Sequence, residues 1–355
     1  MPENPSPKNH SESADEERIA IGPKDVVRHA GQTDAARRRR YTRTPQAGPL
    51  AISAEQVLLL RFLSQCRFLS LPQLARLTAL PEKGARRRLR TLFDAGLVDV
   101  IPVSRVALAP PDAPNDASLL FGSAPNIYAP TAAGLKLASQ EGRATGGGSA
   151  RKAPVYGPRN GLFLAHELAV RDVRVWLEAV RREMGGVPQV TRWQVGPEAT
   201  IGGGETDPTW SARPDAWFVC ELTEGVRPVV LVGLAEVDRA TERGDRHWGA
   251  KLAGYHALFE ERDALTAATG YVNARVLVFT PTAHRRDRLA ALLLELVQEA
   301  RLPSDLVTRF WLAEHTALSR TDLTESVWRR PGIEALAPLV PSRMLPPKTS
   351  HVAPG

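Results

Sequence analysis

One run of apolar residues ends in two acidic side chains, and this run limits what the middle of the chain can form. Residues 229–235 read VVLVGLA, and Glu236 and Asp238 follow directly. A short apolar run of this kind is typical of a core β-strand. Carboxylates at the end of such a strand cost free energy unless a cation or a hydrogen-bond donor meets them. The partner of these acids is therefore the first question that the sequence raises.

A third acid is expected close to these two. Residues two apart in a strand share a face, so Glu236 and Asp238 point the same way. Asp215 follows Pro214 at the start of the preceding predicted strand. Three carboxylates at adjacent strand ends predict a cage for a hard cation such as Mg²⁺, which prefers oxygen ligands. The alternative is a structural salt-bridge cluster with the nearby arginines Arg213, Arg239 and Arg243.

The next predicted helix offers a lysine to this site. Lys251 and Tyr255 are four residues apart and therefore neighbours on one helix face. Lys251 lies at the edge of an apolar stripe, from which it can reach toward the strand ends. There it would orient a water or neutralise a scissile phosphate. The alternative is a lysine whose stem covers apolar surface while its ammonium stays in water.

Length and composition bound the class of protein. The 355 residues suffice for two domains, and 43% hydrophobic with 24% charged residues is typical of a globular protein. The sequence shows neither a stretch of the ~18 apolar residues that span a bilayer nor a signal peptide, so we expect a cytoplasmic protein without a membrane partner. The net charge of +7 suits a polyanionic partner.

Residues 49–141 have the pattern of a winged helix-turn-helix domain. Ser53 and Ser70 each precede a glutamine at capping-box spacing, and Pro81 opens a third helix. Two strands follow, in LVDVIPV and NIYAPTAAGLKLA. Three helices followed by a two-stranded wing is the order of that fold.

The third helix carries a cluster of basic residues opposite its apolar face. In folds of this type that helix enters the major groove, so we expect it to bind double-stranded DNA. The alternative is an ordinary solvated helix face. The predicted DNA-binding residues are Lys83, Arg86, Arg87, Arg88 and Arg90.

The remaining segments complete the predicted organisation. Residues 1–48 read as a disordered arm that ends in the basic cluster Arg37–Arg40, either a solvated tail or a phosphate-binding arm. Residues 142–160 read as a flexible linker, and 331–355 as a disordered, proline-rich tail. Residues 161–320 predict the order α-β-β-β-α-β-α-β, a central mixed sheet flanked by helices. The expected fold class is therefore α/β plus α+β.

The second domain resembles the PD-(D/E)xK nuclease superfamily. The resemblance rests on "PD" in one strand, "EVD" in the next, and "KLAGY" on the following helix. It implies catalytic roles for Asp215, Glu236, Asp238, Lys251 and Tyr255, with Glu167 as a further metal ligand. Asp238 stands where the superfamily has its lysine, and Lys251 on the helix is the candidate replacement. A Mg²⁺ cofactor is implied in the same way.

Residues 50–320 more closely resemble the replication-relaxation proteins of plasmids and integrative mobile elements. The shared motifs include His166, Leu168 and Asp172 on a helix, "RPDA" at 213–216, and "E-x-D-x-x-T-E" from Glu236 to Glu242. The resemblance implies a role in replication or relaxation of such an element. It implies double-stranded DNA as a partner, with other replication or transfer proteins of the element. A homodimer is expected from the habits of winged-helix proteins.

Three functions are consistent with these observations. The first is a DNA-binding replication protein whose nuclease-like domain is an accessory module. The second is a Mg²⁺-dependent endonuclease (a nickase) that the winged helix delivers to DNA. The third is a repressor that senses a small effector, for which the sequence shows no apolar pocket signature.

Overall fold

The protein is described from a computed structural model. The described residues are 41–44, 51–104, 108, 124–144, 161–202, 210–223, 229–240, 246–320 and 322–345. Residues Arg43–Gly355 cluster as one compact unit. The basic cluster Arg37–Arg40 and the last ten residues of the chain lie outside the described residues.

The first part of this unit begins with three helices, as the sequence predicts. Both predicted capping boxes form: Ser53 caps the first helix with Gln56, and Ser70 caps the second with Gln73. The elements in order are α1 Ala54–Cys66, β1 Leu69–Ser70, α2 Leu71–Thr78, α3 Glu82–Asp94, β2 Val98–Ile101, β3 Ile127–Pro130 and α4 Ala132–Ala144.

A small antiparallel sheet closes this part, with the strand order β1-β3-β2. The short strand β1 was not predicted, because two residues between two helices leave no periodic signal. It pairs with β3 through Leu69 and Tyr128. The helices and β2 and β3 enclose one apolar core.

The second part is built on a mixed seven-stranded sheet with helices on both faces. The strand order is β10-β9-β8-β7-β6-β5-β4, with β6, β7 and β8 parallel and the other pairs antiparallel. The elements are α5 Gly161–Glu183, β4 Gln189–Val195, β5 Ala216–Glu221, β6 Val230–Val237, α6 Arg246–Glu260, α7 Arg262–Thr269, β7 Arg275–Thr280, α8 Ala283–Glu299, β8 Phe310–Glu314, β9 Ser326–Arg330 and β10 Ile333–Pro338.

The end of the chain corrects the sequence prediction. Residues 331–345 were expected to be disordered, but they form β10 and the short 3₁₀ segment Ser342–Met344. Gly332 turns between β9 and β10 at φ 78°. Leu339 and Val340 are buried against the sheet core. The ordered fold therefore continues past residue 331, which the proline-rich composition does not indicate.

The two predicted domains contact each other extensively through α5. Arg171 of α5 is fully buried and donates from Nε to the Cys66 carbonyl at 3.1 Å. Gln73 of α2 donates from Nε2 to the Leu168 carbonyl and to Asp172 Oδ1, both at 2.8 Å. Val175 of α5 belongs to the core of the first part. In the predicted linker, residues 142–144 continue α4, and 145–160 lie outside the described residues.

Strand β6 divides the core of the second part. Its residues Val232 and Leu234 face α6 and α8, and Leu231, Ala235 and Val237 face α5. Because β5 and β6 are antiparallel, the first residues of β5 lie beside the last residues of β6. This register brings Asp215, just before β5, and Glu236, near the end of β6, to the same end of the two strands.

Candidate functional site

Glu236 lies at the end of β6 and is met by two side chains of α6. It is 1% exposed. The ammonium of Lys251 donates to Oε2 of Glu236, and the hydroxyl of Tyr255 donates to Oε1 at 2.6 Å. Both oxygens of the carboxylate are therefore occupied by protein donors. Lys251 therefore reaches back from α6 to the strand end, which is one of the two placements that the sequence left open.

Close packing of α6 holds these two donors in place. A Cβ added to Gly254 would lie 2.8 Å from the Ser211 carbonyl oxygen, in the segment before β5. Only a glycine allows the helix backbone to approach this segment so closely. Tyr255 follows in sequence and stacks its ring on Phe310 edge-to-face at 5.7 Å. The helix position, rather than a flexible side chain, sets the Tyr255–Glu236 contact.

The electrostatics of Glu236 follow from its burial. Desolvation raises the pKa of Glu236 to about 7, although Lys251 and the Tyr255 hydrogen bond lower it and Asp215 adds a further increase. Burial and the neighbouring carboxylates raise the pKa of Tyr255 well above its usual range. The tyrosine therefore stays a neutral donor, while Glu236 titrates near neutral pH.

Asp215 is the second acid of the site and is held by different partners. Its Oδ2 accepts from the Val237 backbone N–H at 2.8 Å and lies 3.3 Å from Nε2 of His166. Burial alone would favour the neutral carboxyl, but the hydrogen bond from His166 and the charge of Lys251 lower the pKa of Asp215. Burial opposes the imidazolium of His166, yet Asp215 outweighs it and raises the pKa of His166. The geometry describes an ionised Asp215 beside a histidine that gains a proton more readily than usual.

Asp238 does not join the pair. Its Oδ2 accepts from Nε of Arg285 at 2.6 Å, and its Oδ1 accepts from the Ala240 N–H at 2.7 Å. The cation that meets it comes from α8, which follows the parallel neighbour β7 of β6. The alternative to a metal site was a salt-bridge cluster of the acids with Arg213, Arg239 and Arg243. Of these, Arg213 donates to the Ser211 hydroxyl, and Arg243 lies outside the described residues.

Glu167 is occupied elsewhere. It pairs at 2.7 Å with Arg171, the buried arginine of the junction with the first part. The four predicted metal ligands therefore each have protein partners. Among the described ranges, no group of three or more His, Cys, Asp or Glu side chains converges in a way that could hold a metal ion. The expected Mg²⁺ donor set is not assembled by the residues that the structure describes, since Arg171 and Arg285 take two of its members.

The basic residues of α3 divide into two groups. Lys83, Arg86 and Arg87 are exposed. Arg88 is half-buried and lies 3.3 Å from Glu55 of α1. Arg90 is bound to the buried Asp94 at 2.8 Å and covers the ring of Phe93. Of the five predicted DNA-binding residues, Arg88 and Arg90 are therefore engaged by acids of the fold, and Lys83, Arg86 and Arg87 are the exposed ones.

Another polar contact near this site was missed by sequence reasoning. Asp172 of α5 accepts from Gln73 and lies 3.7 Å from Nε2 of His315. Burial raises the pKa of Asp172 despite these partners. His315 and Gln73 are each far from Asp172 in sequence, so the contact could not be predicted from residue spacing. The one available signal was the motif that joins His166 and Asp172 on a single helix.

Fold and site together define a class: an α/β protein with a mixed sheet and two acids at adjacent strand ends, one of which is buried and contacted by a lysine. The replication-relaxation family model matches residues 60–274, more than half of the chain. The chain belongs to the replication-relaxation family.

Comparisons with other proteins add little to this assignment. Comparison with curated proteins gives no match. Among solved structures, the restriction endonuclease FokI bound to DNA is 9% identical with a TM-score of 0.24, covering 74% of this chain and 43% of FokI. A second FokI structure is 10% identical with the same TM-score, covering 79% and 47%. The chain thus spans less than half of FokI, and these scores are too low to establish a shared fold. In the described part of the chain, no helix has the length and apolar character needed to cross a membrane.

Proposed function

We propose that this protein binds double-stranded DNA in the replication or relaxation of a mobile element, through a winged-helix domain formed by residues 51–144. Its recognition helix would be α3, and the mixed-sheet part would act as an accessory module. The observation that carries the proposal is the exposed basic face of α3, made by Lys83, Arg86 and Arg87. The membership in the replication-relaxation family supports it.

The packing of α3 supports a role as a rigid recognition element. Its apolar face is buried through Ala85, Leu89 and Leu92. Arg88 ties one flank of α3 to Glu55 of α1, and the Thr44 N–H donates to Asp94 at the C-terminal end of the helix. A helix held by its apolar face, one flank and its C-terminal end presents its remaining cations in one geometry, which reduces the entropy lost when they bind phosphates.

Charge on the exposed face is only weakly compensated. Arg86 lies 3.8 Å from Glu82, an exposed pair of the kind that contributes little. Within the described part of the chain, neither Lys83 nor Arg87 forms an ion pair with an acid. They are four residues apart and therefore adjacent on the helix surface. Three adjacent cations with one weak partner favour binding to a polyanion.

The segment before α1 adds to this picture. Arg43 donates from Nε to the Phe93 carbonyl at 2.9 Å, and the Thr44 N–H donates to Asp94 at 2.8 Å. The chain at 43–44 is thereby attached to the C-terminal end of α3. Arg37–Arg40 precede it by a few residues. We propose that this basic cluster also contacts DNA phosphates.

The test compares two double variants that remove the same charge. In one, Lys83→Ala is combined with Arg87→Ala on α3. In the other, Arg262→Ala is combined with Arg288→Ala, two exposed arginines of the mixed-sheet part. We expect the α3 variant to lose about tenfold or more in affinity for duplex DNA, measured by fluorescence anisotropy, and the control to change little. Equal affinities of the two variants would refute α3 as the contact.

A second candidate function is a Mg²⁺-dependent endonuclease. One observation favours it: the ammonium of Lys251 contacts Glu236, and Asp215 lies at the adjacent strand end close enough to Lys251 for their charges to interact. The resemblance to PD-(D/E)xK nucleases implies such an arrangement. The engagement of Asp238 by Arg285 and of Glu167 by Arg171 opposes it. We therefore prefer the accessory role for this site.

Nicking of supercoiled plasmid separates the two candidates. The wild type is compared with Asp215→Ala and Glu236→Ala in Mg²⁺ or Mn²⁺. If the site is accessory, the wild type should show no metal-dependent nicking beyond what both variants also show. Nicking by the wild type that both variants abolish would establish the endonuclease and overturn our preference.

A further inference from the structure

A basic cleft lies between the first part of the fold and α5, and among the described residues its lining includes neither the acid pair nor α3. It has a volume of about 420 Å³. Its polar lining comes from α1, the C-terminal end of α2 and one face of α5, and includes Arg61, Gln65, Thr78, Arg174, Arg181 and Arg182. We propose that this cleft binds a phosphate-bearing anion.

The charge of the cleft is strongly positive. Four arginines line it and one acid, Glu178, which leaves an excess of three positive charges. Glu178 is shared: it lies 3.5 Å from Arg174, 2.7 Å from Arg181 and 3.8 Å from Arg182. A single carboxylate cannot neutralise three guanidinium groups. An anion in the cleft would supply the missing negative charge.

Arg174 is the residue that most directly indicates a ligand. Only 7% of it is exposed, and its guanidinium lies over the ring of Phe62. Its Nε is buried and has no hydrogen-bond partner among the described residues. A buried guanidinium N–H without an acceptor is costly, and a small rotation of the side chain toward the cleft would let an oxygen of a bound anion satisfy it. The planar fork of arginine matches the oxygens of a phosphate.

The other arginines are placed for different tasks. Arg182 donates from Nη1 to the Leu77 carbonyl at 2.9 Å and so holds the end of α2 at the rim. Desolvation is the main reason that the pKa of Arg182 is lowered, with Glu178 opposing it and the charges of Arg181 and Arg76 adding to it. Arg61 is exposed at the mouth of the cleft. It is available to meet an incoming anion.

The cleft volume suits a small anion or a short segment of a polyanion. The phosphate could belong to a free nucleotide or to the backbone of bound DNA, and both present the same oxygens to the arginines. Pyrophosphate is the appropriate probe, because it carries this chemistry without a base or a sugar.

The test is calorimetric titration of the full chain with pyrophosphate at low salt. We expect saturable binding at one site per chain, and at least a tenfold loss of affinity in Arg61→Ala combined with Arg181→Ala. The control is Arg262→Ala with Arg288→Ala, which removes the same charge elsewhere and should bind as the wild type does. Arg174→Lys, which keeps the charge but loses Nε, should also weaken binding. Absence of saturable binding, or equal binding by the cleft and control variants, would overturn the proposal.

Competition with a short duplex distinguishes the two sources of the phosphate. If DNA supplies it, pyrophosphate displaces the duplex, and the cleft variant weakens duplex binding as well. If a free nucleotide supplies it, duplex and pyrophosphate bind independently. Failure of α3 to bind DNA would leave pyrophosphate binding intact, so the two proposals fail separately.

Discussion

Replacement of Lys251 by methionine should reveal the buried charge pair at the strand ends. The variant keeps most of the side-chain length but removes the ammonium that contacts Glu236, which is 1% exposed. Glu236 then stays protonated to a higher pH, because an unpaired buried carboxylate is much less stable than the neutral acid. The cost of the substitution should therefore depend strongly on pH.

The magnitude follows from the pKa of Glu236. The pKa is about 7 in the folded protein, compared with 4.5 for an unperturbed glutamate. The raised pKa contributes stability that is fully present below 4.5 and is lost as the pH rises through 7. In the wild type this loss of stability ends above about pH 7, where Glu236 is ionised and paired with Lys251. In the variant it continues at about 1.4 kcal/mol per pH unit, which makes the variant about 3 kcal/mol less stable at pH 9 than the wild type.

Urea unfolding at pH 5.5, 7 and 9, followed by tryptophan fluorescence, measures this difference. At pH 5.5 Glu236 is protonated in both proteins, and we expect only a small effect from the lost contacts of the lysine. Repeating Lys251→Met in a Glu236→Gln background supplies the control, since the pH dependence should then disappear. A destabilisation that is equal at pH 5.5 and 9, or that keeps its pH dependence in the Glu236→Gln background, would refute the reasoning.

Two further substitutions test the packing that positions the site. Arg171→Met leaves Glu167 without its buried partner and should destabilise the fold by about 3–5 kcal/mol in urea unfolding, whereas Arg67→Met, which breaks a more exposed ion pair, should cost less than about 1 kcal/mol. Gly254→Ala places a Cβ 2.8 Å from the Ser211 carbonyl oxygen, and we expect a loss of about 1–3 kcal/mol in the same assay. A Gly254→Ala protein as stable as the wild type would show that α6 is not held by this contact.

Local signals in the sequence predicted the local structure well. Ser53 and Ser70 marked helix starts because a capping box involves residues only three apart. The apolar run of β6 and the spacing of Lys251 and Tyr255 are equally local, and both led to the Glu236 contacts that the structure contains. Features set by neighbours along the chain can be derived without knowledge of the fold.

The contacts that the sequence could not reveal depend on pairing between distant segments. Arg285 meets Asp238 only because β6 and β7 are parallel, which places the start of α8 beside the end of β6. Arg88 and Arg90 looked like part of a solvated face because their acidic partners occupy other turns or other helices. Periodicity assigns a residue to a face of its helix, but it does not say what packs against that face.

The salt dependence of duplex binding tests the central claim most directly. The logarithm of the affinity falls linearly with the logarithm of salt concentration, by about 0.9 for each phosphate contact. We predict that Lys83→Ala with Arg87→Ala lowers this slope by about two relative to the wild type, while Arg262→Ala with Arg288→Ala leaves it unchanged. An unchanged slope in the α3 variant, or the same decrease in both variants, would contradict the proposal that α3 binds the DNA backbone.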